Sequence, residues 1–140
     1  MRFPTFCIAA LVAGCTPASP AIEVRDAWAR ATAPRQSSAA VYATIVNQGA
    51  ADSLVSVSSP AGMAMLHGND NTGGVARMRM LAQLPISTRG EVKLVPGGIH
   101  VMLTGLKAPL AAGTHFPLTL RFAASGDRPV DVAVVAAGAR

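Results

Sequence analysis

Thiols are nearly missing from this chain. Its two cysteines, Cys7 and Cys15, both lie near the N-terminus, and none follows in the rest of its 140 residues. A fold built after Cys15 therefore has no disulfide, zinc–thiolate centre, iron–sulfur cluster or cysteine nucleophile. It also lacks the thiolate that a blue-copper electron carrier requires. Charge is sparse as well, at 14% of residues, and aromatics make up 4%. The net charge is +5, from 12 basic and 7 acidic residues; without Met1–Gly14, which holds Arg2, the balance is 11 against 7, or +4. The basic residues are scattered from Arg25 to Arg140 with no run or aromatic interleaving. Nucleic-acid binding is therefore not expected. The acidic residues Glu23, Asp26, Asp52, Asp70, Glu91, Asp127 and Asp131 are spread without gathering around a histidine. No Ser/His/Asp arrangement is legible either, so no enzyme is expected.

The N-terminus reads as an export signal. Arg2 supplies one positive charge, Phe3–Ala13 is apolar but too short to span a bilayer, and Val12-Ala13-Gly14-Cys15 follows. A small-residue pair before a cysteine resembles the bacterial lipobox, which makes residues 1–14 the signal and Cys15 the lipid-bearing first residue. Val12 stands where leucine is commonest, and a plain signal cut near Ala21 is the alternative. Thr16 after the cysteine, in place of aspartate, points to the outer membrane. Residues 15–21 then form a small-residue tether, and membrane contact is expected only through that lipid.

The remainder is long enough for one domain with its own core. Hydrophobic residues are 51% of the chain, and no convincing amphipathic helix appears. Ile22–Trp28, Ala40–Val46, Ser53–Val57, Ala64–His67, Val75–Leu81, Glu91–Leu94, Ile99–Leu103, Phe116–Phe122 and Val130–Val135 read as strands between turn signals. Eight or nine short strands predict an all-β, Greek-key β-sandwich or barrel over residues 22–136, with 137–140 fraying. Trp28 and Tyr42 read as core, and His115 as a surface residue.

The stretch Met63–Met102 carries the chemistry. It holds every methionine except the initiator, and two of the three histidines, in M-A-M-L-H, R-M-R-M and P-G-G-I-H-V-M. In extended chain, alternate residues share a face, so His67 joins Met63 and Met65, Met78 joins Met80, and His100 joins Met102. Thioethers favour Cu(I), and imidazole binds copper in either oxidation state. A methionine site also survives oxidising surroundings that would oxidise a pair of thiols. Gly97-Gly98 permits a sharp turn into His100. Arg77 and Arg79 alternate with the methionines and should face the other way.

His67, Met78, His100 and Met102 are separated by ten, twenty-one and one residues. This spacing resembles that of the periplasmic copper(I) chaperones of the PCuAC type, His-x10-Met-x21-His-x-Met. The resemblance extends over Ile22–Val135, including Ala27–Pro34, Gly73–Arg79 and Val95–Lys107. It implies a cupredoxin-like fold and one Cu(I) bound by His67, Met78, His100 and Met102, with Cu(II) as a further possibility. It implies a periplasmic protein that passes copper to an oxidase subunit or another copper chaperone, for the Cu-A centre of cytochrome c oxidase; a monomer is expected. A periplasmic copper buffer without a specific recipient is the alternative, and a β-sandwich whose methionines only pack is the third reading. The chain departs from its relatives locally, with Gly68 after the first histidine, Ala76 two before Met78, and Met80 in place of a common proline. Met63, Met65 and Met80 stay open between packing and accessory sulfur, with packing favoured for Met65.

Overall fold

A computed structural model describes residues 18–140. The signal segment and Cys15 lie outside the described residues. The strands are β1 (Ile22–Arg30), β2 (Ser38–Asn47), β3 (Asp52–Ser58), β4 (Met63–Asp70), β5 (Arg77–Met80), β6 (Leu84–Ile86), β7 (Glu91–Leu94), β8 (His100–Thr104), β9 (His115–Phe122) and β10 (Gly126–Val135). A single 3-10 turn, Thr72–Gly74, sits between β4 and β5. Hydrogen bonding follows the order β5-β4-β8-β2-β1-β10-β9-β3-β6, with β7 beside the far half of β2. The sheet curls until β3 and β4 lie against each other. Among the described residues only β1 and β10 run parallel; the other ladders are antiparallel.

Alternation builds the core. On β2, Ala39, Val41 and Ile45 point inward; on β8, Val101 and Leu103; on β9, Phe116, Leu118, Leu120 and Phe122. Ile45, Leu54, Ile86, Leu103 and Leu120 are fully enclosed, each contributing about 1.5–3 kcal/mol of burial. The other face of β8 carries His100, Met102 and Thr104, so strand alternation itself puts the histidine and the thioether on the side away from the core.

Three features depart from the strand assignments read in the sequence. β6 was not expected, because Pro85 in Leu84-Pro85-Ile86 argues against a strand. It is an edge strand paired only to β3, where the missing N–H is tolerated. Gly68, Asn69 and Asp70 read as loop but continue β4, opposite Arg79, Met78 and Arg77; pairing outweighs their poor strand propensity. Trp28 is buried, yet it lies outside the main core cluster. β1 and β2 slip register between Arg25 and Trp28, and Asp26 there has φ 51°. This bulge turns Trp28 to the outward face beside Tyr42 and sends Ala29 into the core.

Two buried polar side chains, neither distinguished by the sequence, staple the ends. Asn47 accepts from Ala21 N and Gly49 N and donates to Ala50 O and Ser87 O. The β9–β10 turn hangs on Asp52, which accepts from Ser53 N at 2.8 Å, Ala124 N at 2.9 Å, Ser125 N at 3.0 Å and Ser125 Oγ at 2.5 Å. Burial pushes the Asp52 carboxyl up, but the Ser125 hydroxyl and the three backbone donors outweigh it and hold the pKa below the ordinary aspartate value. A depressed folded-state pKa contributes stability that is present above the unfolded value and is lost as pH falls through the folded one. Asp52→Ala should cost about 2–3 kcal/mol at neutral pH, the range for losing charge-assisted bonds and stranding their donors. In urea unfolding, the gap between wild type and variant should close as the pH drops below about 4. A gap that persists at low pH would show that the carboxylate is not the stabilising form.

Candidate metal centre

Three adjacent strands, β8, β4 and β5, bring the sequence-predicted residues onto one outward face. In the β4–β8 ladder His67 stands opposite His100, and Met65 opposite Met102. In the β4–β5 ladder His67 stands opposite Met80, and Asn69 opposite Met78. Directly opposed side chains have Cβ atoms about 4.5–5.5 Å apart, and diagonal neighbours about 7–8 Å. The two imidazoles are accordingly close, with ring centroids 6.0 Å apart and planes at 71°. Met102 flanks this pair diagonally on β8, and Met78 flanks it diagonally on β5.

The imidazole nitrogens point to a missing partner. His100 Nδ1 lies 2.9 Å from Gly98 O. A carbonyl can only accept, so this bond requires the proton on Nδ1, and in the neutral ring the lone pair is then on Nε2. Nε2 is buried and unpartnered, and so is His67 Nδ1. A buried polar atom left without a partner is costly, and two of them on facing rings fit an ion between the strands. Among the described residues no group of three His, Cys, Asp or Glu is placed to hold a metal. The soft side chains that share the face of this histidine pair are the thioethers of Met65, Met78, Met80 and Met102.

Backbone and aromatic groups around the candidate ligands support the site. The turn before β8 closes through Gly98 N to Val95 O and Val95 N to Ile99 O, both 3.0 Å, with Gly97 at φ 78°. That conformation suits glycine, and it aims the Gly98 carbonyl at His100. Asn69 Nδ2 donates to Gly97 O, tying this turn to the β4–β5 hairpin. Behind His100 stands Tyr42, with centroids 6.3 Å apart, and behind Tyr42 stands Trp28 at 4.7 Å. Arg30 covers Trp28 and Tyr42, and Arg140, paired to Asp26 at 2.8 Å, covers Trp28. His100 is 5% exposed and backed by this tilted aromatic pair.

The thioethers differ in setting. Met65 and Met102 are half-buried. Met63, Met78 and Met80 are 67%, 63% and 66% exposed, so packing does not account for them. Arg77 and Arg79 alternate with Met78 and Met80, and Arg79 reaches Asp70 at 3.5 Å. His115, away from this face, is exposed and contacts Asp131 at 2.8 Å.

A family model described as "Putative lipoprotein LpqE-like" matches residues 22–134. The chain belongs to this family, which is of the PCuAC type. A protein of Leifsonia xyli subsp. xyli described as "Putative lipoprotein" is 34% identical over 116 residues, covering 81% of this chain and 69% of the relative. The apo PCuAC domain from PmoF1 is 30% identical, with TM-score 0.68 and coverage of 83% of this chain and 94% of that domain. The solution structure of Cu(I)-DR1885 from Deinococcus radiodurans is 30% identical, with TM-score 0.64, covering 88% and 81%. The copper-bound PCuAC domain from PmoF2 superposes with TM-score 0.69 over 83% of this chain and 93% of that domain, at 24% identity, a likeness of fold. The fold is thus the expected all-β, cupredoxin-like sandwich with an open sheet.

Proposed function

We propose that this chain is a copper(I) metallochaperone that binds one Cu(I) through His67, Met78, His100 and Met102. It then delivers the ion for assembly of the Cu-A centre of cytochrome c oxidase. The observation that carries this reading is the facing pair of imidazoles with buried, unpartnered nitrogens, flanked by thioethers on the same face. Two neutral imidazoles and two neutral thioethers suit a soft monovalent ion better than zinc, which takes its sites from thiolate, imidazole and carboxylate. Copper-bound relatives of the same fold support the choice of metal. The lipoprotein family supports an exported, lipid-anchored protein, with Cys15 as the anchor and the periplasm as its compartment. Nothing in the reading is catalytic; the ion is cargo, received and released by ligand exchange.

Delivery is tested by mixing the Cu(I)-loaded protein with an apo fragment of the oxidase subunit that holds the Cu-A centre. Transfer should go nearly to completion at equal concentrations, read from the copper content of the separated proteins. Retention of copper by this chain in the presence of the fragment would defeat the delivery role. In cells, loss of the gene should lower oxidase activity, and added copper should restore it. Copper-sensitive growth with normal oxidase would instead assign a buffering role.

A further inference from the structure

The four residues of the family spacing leave a thioether of this chain unaccounted for. Met80 stands directly opposite His67 on the side away from His100. His100, His67 and Met80 therefore form a straight row across β8, β4 and β5, with His67 in the middle. By register Met80 is nearer to His67 than Met78 is, since Met78 opposes Asn69 and meets His67 only diagonally. Both methionines are exposed, on a strand that ends the hydrogen-bonded order. The hairpin does not leave Met80 to chance, because Leu81 N donates to Leu66 O at 2.8 Å immediately after it. Gly68 helps to seat that end: a Cβ there would come within 3.2 Å of Leu81 Cδ1.

We propose that Met80 is an exchange ligand, forming with His67 and Met78 a second, outward position for a soft monovalent ion on edge strand β5. This rests on the copper(I) reading above. The inner position uses His100 and Met102, the outer position uses Met80, and His67 and Met78 are common to both. Moving outward breaks the bonds from copper to His100 nitrogen and Met102 sulfur and makes one to Met80 sulfur. Copper stays in the +1 state throughout. Thioethers are neutral, so no proton is taken up or released at sulfur. The outer position holds the ion with fewer ligands on an exposed edge, where a recipient's own donor can enter before the last bonds to this chain break.

The test uses the exported protein labelled with 13C at the methionine methyls, titrated with Ag(I) as a redox-inert stand-in for Cu(I), beside Met102→Leu. The Met80 methyl resonance should move partway in wild type. In Met102→Leu, where the inner position is damaged, it should move further. Met80→Leu, a conservative change at an exposed site, should slow copper transfer to a chelator about tenfold while weakening equilibrium affinity by no more than about threefold. A Met80 methyl that stays fixed in both proteins while Met78 responds, or a Met80→Leu protein that transfers at the wild-type rate, overturns the outer position and leaves the inner site standing. If no methionine methyl responds in wild type, the copper reading itself falls, and the outer position with it.

Discussion

His100→Ala should lower Cu(I) affinity by more than about 100-fold, because even loss of an outer-shell partner costs metal sites about 10–100-fold. The reason lies in how this ring is prepared. Its Nδ1 proton is committed to Gly98 O, its face is backed by Tyr42, and its Nε2 is buried without a partner. All three conditions are met before the ion arrives, so little ordering is left to be done on binding. Competition against a chromophoric Cu(I) chelator without oxygen reads the effect directly. The same substitution should abolish stabilisation by metal. A ligand bound only to the native state at 100 times its Kd adds about 2.7 kcal/mol. Wild type should therefore melt several degrees higher with copper, and His100→Ala should not. A variant that binds Cu(I) like wild type would show that the buried nitrogen faces nothing of functional use.

Met102→Leu should separate the two oxidation states. Leucine nearly conserves the volume of methionine, so the fold should lose less than about 1.5 kcal/mol. What disappears is the soft donor. Met102 opposes Met65 on β4 and Ala40 on β2, diagonal to His67, where no other donor of the four-residue set can take its place. Cu(I) affinity should fall more than about tenfold, while any affinity for Cu(II), which needs no soft donor, should change little. Titrations of both ions on wild type and Met102→Leu measure the difference. An equal loss for both ions would mean that the substitution distorted the histidine pair and that thioether softness is not the basis of selectivity.

Much of this face was legible in the sequence because strand alternation is a rigid rule. His100 and Met102 share a side whatever the register of their neighbours, and so do Met65 and His67. The identity of the opposing residues was not legible. Whether Met78 or Met80 faces His67 depends on how the β4–β5 hairpin closes, and Gly68–Asp70, loop-like in composition, pair with Arg77–Arg79. Spacing alone favoured Met78, and register places Met80 in the facing position. Trp28 is buried, as its sequence context suggests, but the bulge at Asp26 inverts the alternation of β1 and makes Trp28 part of the wall behind His100 instead of the main core cluster. Asp52 and Asn47 gave no signal, because their value lies in backbone donors and acceptors far away in sequence, such as Ala124 and Ser87. The Gly98 carbonyl that sets the His100 tautomer is backbone, and no side-chain pattern reports it.

The ligand set can be read by X-ray absorption at the copper edge of the protein loaded with one equivalent of Cu(I). A mixed shell of imidazole nitrogen and thioether sulfur is expected, with the sulfur contribution reduced in Met102→Leu and the nitrogen contribution reduced in His100→Ala. A shell of nitrogen and oxygen alone, or one unchanged by either substitution, would contradict that ligand set.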